Sequence, residues 1–81
     1  IIFILLQTLQ SMVKDPAFLK ITIVEGPTTT IFELDFAVID FGIIVGSKGR
    51  TIDAFRVLVG AMAAAHDFRA IVRIKDEERF F

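Results

Sequence analysis

Residues 46–50 read Gly-Ser-Lys-Gly-Arg, and here residue type and spacing combine into a chemistry. Glycine permits backbone angles that other residues resist, and it lets a ligand approach the chain without meeting a Cβ. A helical pattern begins at Thr51, so the second glycine stands just ahead of a helix N-terminus. The unpaired N–H groups and partial positive charge of such an end suit a phosphate. Lys48 and Arg50 bring mobile positive charge to the same point. The combination is a cradle for a nucleic-acid backbone. Taken alone, G-x-x-G is a weak pattern, and a helix-capping turn is the plainer alternative. Its context strengthens it, with Ile43-Ile44-Val45 before and Arg50-Thr51-Ile52 after. The segment is not a nucleotide P-loop, because G-x-x-x-x-G-K-[ST] is missing, and no long βαβ unit makes it a dinucleotide fingerprint.

Little else in the chain points to chemistry. Cysteine is absent, which excludes disulfides and thiolate reactions and fits a reducing, cytoplasmic setting. The single histidine, His66, makes no metal site by itself, and no nucleophile–base pair or acid pair can be assembled, so neither an enzyme nor a cofactor is expected. His66 is read as favouring the C-terminal dipole of the long helix. Asp40 is read as capping or solvating a short helix, and Asp35 is not paired with it for catalysis. All nine aromatic residues are phenylalanine, so the rings serve packing rather than hydrogen-bonded recognition. Nine Lys and Arg against ten Asp and Glu give a net charge of −1. Strong phosphate binders carry a clear basic excess, so any RNA affinity rests on local placement of cations and is expected to be weak.

The elements that must position the loop are legible from periodicity. Residues 1 to 14 predict a helix with Ile2, Leu5, Leu9, Met12 and Val13 on one stripe, ended by Asp15-Pro16. The opening run Ile1 to Leu6 is too short to span a membrane and lacks the marks of a signal peptide, so it reads as a buried or partner-facing helix. Residues 19–25 predict a strand, and Gly26-Pro27 a turn. From Thr30 to Phe36, Thr30, Phe32, Leu34 and Phe36 alternate with Ile31, Glu33 and Asp35, the signature of a half-buried strand. A short helical turn is expected over residues 38–44. The longest helix, Thr51 to His66, carries Ile52, Phe55, Val59 and Met62 inward, with Leu58 and Ala61, Ala63, Ala64 and Ala65 as a second, small-residue face. A last strand covers Arg69 to Lys75 with Ala70, Val72 and Ile74 inward, and residues 76–81 form a charged tail. The fold class is α+β, one domain over residues 1–81, with three helices covering one face of a three-stranded sheet. The other face, with Ile31, Glu33, Asp35, Ile71, Arg73 and Lys75, is expected to meet solvent.

The segment from Gly42 to Ile52, continued by Ala54-Phe55-Arg56 and the alanine-rich Ala61 to Ala65, resembles the small bacterial KH proteins of the KhpA type. The similarity runs along nearly the whole chain, including the Asp15-Pro16 break. It implies a type II KH domain, α-β-β-α-α-β, that holds about four nucleotides of single-stranded RNA between loop and sheet. Carried over by position, Gly46, Ser47, Lys48 and Gly49 form the clamp and Arg50 is the basic residue at the helix start. Ile44, Val45 and Ile52 lie beside the apolar groove for bases, and Arg56 reaches toward a phosphate. The resemblance also implies partners: a homodimer, or pairing with a larger KH protein of the KhpB type (also called EloR or Jag), linked to RNA regulation of cell elongation and division. Leu58, Ala61 and Ala65 are then the helix face for pairing.

Some residues depart from that pattern or compete with it. Ile39 and Ile43 stand where the family has charged or polar residues, and Phe41 and the run Ile1 to Leu6 are apolar in the same sense. Together they lower the positive potential near the loop. They also create apolar surface that calls for a covering partner or a sequence altered from its natural form. Asp53 stands at helical spacing from both Arg50 and Arg56, and ion pairs there withdraw charge from RNA. Two readings follow: an RNA-binding module, or an interaction module of the same fold with weak or lost RNA contact.

Overall fold

A computed structural model describes residues 2–76. Its elements are helix α1 (Ile2–Met12), strands β1 (Lys20–Glu25) and β2 (Thr29–Asp35), the short helix α2 (Phe41–Val45), the long helix α3 (Arg50–Ala64) and strand β3 (Arg69–Ile74). The expected order α-β-β-α-α-β is therefore observed. Single 3-10 turns stand at Pro16–Phe18, Val38–Asp40 and Ser47–Gly49. Of the charged tail, residues 77–81 lie outside the described residues.

Strand β2 is central. It pairs antiparallel with β1 and parallel with β3, with Ile23 opposite Phe32 and Phe32 opposite Val72. Paired residues share a face, so Ile21, Leu34 and Ile74 form one row and Ile23, Phe32 and Val72 the next. These rows lie on the helix-covered face, and all but the exposed Ile23 join Leu5 and Leu9 of α1, Ile44 of α2, and Ile52, Phe55 and Val59 of α3 in one core. The alternation read over residues 30–36 is borne out, with Phe32, Leu34 and Phe36 buried. Along α3 the inward stripe is Ile52, Phe55, Val59 and Ala63, while Met62 is only partly buried. Ala63 thus leaves the small-residue face, because it falls four residues after Val59 on the core side. The opposite sheet face carries a Glu33–Arg73 ion pair at 2.7 Å and an apolar row of Val24, Ile31 and Ile71.

The departures from expectation have physical causes. Helix α1 stops at Met12, ahead of Asp15-Pro16, because the following N–H groups take a side-chain acceptor. Lys14 N–H donates to Asp40 Oδ1 at 2.7 Å and Asp15 N–H to Oδ2 at 3.1 Å. This corrects the reading of Asp40. It precedes α2 but makes no side-chain cap bond to it, and it is fully buried rather than solvated. Its carboxylate instead fastens the end of α1 to the start of α2 across 25 residues of chain. A buried carboxylate persists when hydrogen bonds replace its water, and each charge-assisted bond contributes about 1.5–3 kcal/mol. Asp40→Asn keeps one acceptor and turns an N–H toward the other donor, so it should lower stability by about 2 kcal/mol in a denaturant titration. Phe41 is also corrected: it packs against the core instead of adding exposed surface, whereas Val38 and Ile39 are exposed. No helix among the described residues is long and apolar enough to cross a membrane.

Candidate nucleic-acid interface

Helix α2 closes with Gly46 N–H donating to the Gly42 carbonyl at 3.0 Å, and the chain then reverses through backbone angles that few residues adopt. Gly46 has φ 77° and ψ 174°, and Gly49 has φ 75° and ψ 14°. Lys48 between them is left-handed as well, at φ 56° and ψ 27°. The two glycines serve different ends. A Cβ on Gly46 would stand 2.7 Å from Thr51 Cβ and 2.9 Å from Thr51 N, so the backbone there packs flat against the first turn of α3. A Cβ on Gly49 would meet nothing closer than 4.0 Å. Gly49 is required by its angle alone, and its open side is where a ligand backbone can come close.

This arrangement leaves α3 without a side-chain cap. The residue before its first turn is Gly49, which has no oxygen to offer, and the Arg50 N–H is drawn to the Ser47 carbonyl. The positive end of a 15-residue helix therefore faces outward beside the loop. Ser47, Lys48 and Arg50 are all exposed there, and neither cation pairs with an acid among the described residues. Asp53, spaced to reach either neighbour, pairs with Arg56 at 3.0 Å and not with Arg50. Gly46, Ser47, Lys48, Gly49 and Arg50 so form one positively charged turn with exposed side chains at 47, 48 and 50.

The structure does not bring the other expected contacts to that surface. Ile44 is fully buried and Ile52 nearly so, and Val45 is half-buried against the core. Ile44 lies in the last turn of α2 and Ile52 in the first turn of α3, and both turn inward. They hold the loop's flanks in the core and offer no face to a base. Arg56 is likewise occupied: its Nε donates to the Val72 carbonyl at 3.1 Å while Nη1 holds Asp53, so the guanidinium ties α3 to β3. Apolar surface near the loop comes from residues the sequence did not single out together. Met12 of α1 with Thr51, Ala54, Phe55 and Leu58 of α3 lines a shallow groove of about 160 Å³ that starts one residue after Arg50. The spacing 51, 54, 55, 58 marks a helix stripe in the sequence, but its facing partner Met12 lies 39 residues earlier and only the fold supplies it.

Next to this groove, Leu58, which also lines it, Ala61 and the C-cap residue Ala65 are exposed, and Val57 beside them is 74% exposed. His66 lies past the end of the helix, in the turn to β3, where it lines a cleft of about 340 Å³ with Ile2, Ile23, Glu25, Thr30, Phe32 and Phe68. No group of three or more His, Cys, Asp or Glu among the described residues could hold a metal ion.

Comparison with known proteins agrees with this architecture. The family model described as KhpA/KhpB, KH domain, matches residues 3–74. The chain is 36% identical over 70 residues to the RNA-binding protein KhpA of Chlamydia pneumoniae, covering 86% of this chain and 90% of that protein. It is 37% identical over 67 residues to the RNA-binding protein KhpA of Borreliella burgdorferi, covering 83% and 82%. It is 34% identical over 71 residues to that of Clostridium acetobutylicum, covering 86% and 95%. No solved structure gives a significant match. With its element order, its glycine-bounded turn and a match over nearly all described residues, the chain belongs to the KhpA/KhpB family of KH domains.

Proposed function

We propose that the chain binds single-stranded RNA without catalysing a reaction, with the Gly46–Gly49 turn and Arg50 holding the phosphate backbone. One observation carries the reading: the uncapped start of α3 and the exposed Lys48 and Arg50, which pair with no acid among the described residues, stand at a turn whose Gly49 side is open. The relatives named RNA-binding protein KhpA support it. Bases leaving the backbone at this turn would find the Met12–Leu58 groove rather than Ile44 or Ile52. Binding should weaken as salt rises, because held phosphates release counterions. About three contacts on a single strand give a slope near −2 in a plot of log affinity against log salt. A titration with a fluorescent oligoribonucleotide at several salt concentrations measures it, and a slope near zero refutes phosphate clamping.

The exposed face of α3 favours a second component of the reading, pairing with another KH domain. Leu58, Ala61 and Ala65 form a stripe whose small side chains let a second helix approach closely, and Val57 extends it. The partner is a second copy of this chain or a KhpB-like protein. Leu58→Glu places a charge in the middle of that stripe and should halve the molar mass measured by light scattering. A mass that stays unchanged rules out the α3 interface. If the Leu58 variant alters assembly while wild-type RNA affinity is negligible, the domain is an interaction module of the KH fold. The net charge of −1 is consistent with that alternative.

A further inference from the structure

Two features of α3 lie on one line. Thr51, Ala54 and Leu58 line the groove beside the turn, and Leu58, Ala61 and Ala65 form the exposed stripe that follows it. Taken in order, residues 51, 54, 58, 61 and 65 repeat at the alternating three- and four-residue steps of a helix seam. At about 100° per residue they occupy an arc of roughly 80° on the helix surface. The core residues Ile52, Phe55, Val59 and Ala63 take the neighbouring arc. Groove and stripe are therefore two halves of a single seam, with Leu58 at its centre.

Burial identifies the residues at the mouth of the groove. Phe55 is buried and Met12 and Thr51 are half-buried, while Ala54 is exposed and Leu58 is 49% exposed. Ala54 and Leu58 thus stand at the opening, and both belong to the seam. A helix packed along the seam lies about 8–10 Å from the axis of α3, with its side chains interdigitated. The alanines at 54, 61 and 65 let it come to the near end of that range. Its side chains then fill the space around Leu58 and leave no room for a base in the groove. The turn escapes this cover. Ser47, Lys48 and Arg50 precede the seam, and the atoms nearest the open side of Gly49 belong to Ile52 and Asp53, neither of them on it.

We propose that RNA and a partner helix compete for this seam, so that docking of a base releases the α3 pair whereas holding of phosphate alone does not. The competition presupposes the proposed function, with RNA at the turn and a partner on the α3 stripe, and adds the sign of the coupling between them. The paired form keeps the phosphate clamp and loses the base groove. The separated form has both. Linkage makes the effect reciprocal: pairing weakens RNA binding by the same factor by which RNA weakens pairing, about tenfold here.

Sedimentation at a protein concentration where the wild type is paired tests the coupling with two probes. Tetrauridylate fills one KH site, and an abasic strand of equal length offers the turn its phosphates and the groove no base. Tetrauridylate should halve the mass, and the abasic strand should leave it unchanged. An Ala61→Gln/Ala65→Gln variant supplies the converse measurement. Both positions are exposed and outside the groove, and glutamine adds bulk without charge. The variant should be monomeric and, at the same concentration, bind tetrauridylate about tenfold more tightly than wild type. Where the wild type is diluted to monomer, the two affinities should agree. A pair that keeps its mass while saturated with tetrauridylate overturns the proposal and leaves both parts of the proposed function standing. Equal affinities at the paired concentration do the same, and so does release by the abasic strand, which assigns dissociation to charge. A variant that stays paired shows that pairing does not use the seam and overturns the proposal as well. A wild type that is monomeric at every concentration, or that binds no RNA, removes the proposed function and the competition with it.

Discussion

A Ser47→Asp/Lys48→Asp double variant is expected to bind single-stranded RNA about 100-fold more weakly at 0.1 M salt, with its circular dichroism and melting temperature nearly unchanged. The substitution changes the charge of the turn by three units. Counterion release on single strands is worth about 0.7 log unit per phosphate for each tenfold in salt, so three units amount to roughly two log units relative to 1 M. The fold should tolerate the change for a local reason. Lys48 already sits at φ 56°, and aspartate is among the few residues that enter the left-handed region readily. Both side chains are exposed and neither belongs to the core. Fluorescence anisotropy with a labelled oligoribonucleotide, run beside thermal melts, separates the two quantities. Equal affinity in variant and wild type would sink the assignment of this turn to RNA.

Gly46→Ala should be the most destabilising single methyl in the turn, far beyond Gly49→Ala. At φ 77° and ψ 174°, Gly46 occupies a region that only glycine populates, which costs any other residue about 1–3 kcal/mol. The added Cβ also collides with Thr51, whose Cβ and backbone N belong to the first turn of α3 and cannot give way cheaply. Overpacking of that kind adds about 1–3 kcal/mol, for a total near 4 kcal/mol. That is a large part of the stability of a domain this size. Gly49→Ala meets open space and carries only the left-handed penalty of about 1–2 kcal/mol. Urea titrations of the two variants measure the difference directly. Equal losses would mean that the contact with Thr51 does not shape the turn.

The fold was largely legible because its signals are local. The alternation from Thr30 to Phe36 and the stripe Ile52, Phe55, Val59 each report one buried face at strand or helix period, and both are buried as expected. The loop was legible for a similar reason, since two glycines three apart before a helix imply unusual backbone angles. The sequence could not tell the two glycines apart. One is held by a neighbour, Thr51, and the other by its angle alone, a distinction that needs the distance between turn and helix.

What misled were residues whose neighbours in the fold are distant in the chain. Ile44, Val45 and Ile52 flank the loop in sequence, and the resemblance sets them beside an apolar groove for bases, yet helix packing turns Ile44 and Ile52 into the core. Arg56 stands at the right spacing for a phosphate, but β3 folds back under α3 and offers the Val72 carbonyl first. Asp40 reads as a cap for the helix that follows it, and its partners are instead Lys14 and Asp15.

By itself, then, the sequence determined the order of the elements, the apolar face of each and the turn from Gly46 to Gly49, because these depend on backbone preference and short-range periodicity. Tertiary structure decided which cations stay available to that turn. Burial and long-range hydrogen bonds set Arg56 against β3 and Asp53 against Arg56, leaving Lys48 and Arg50 without an ion pair among the described residues.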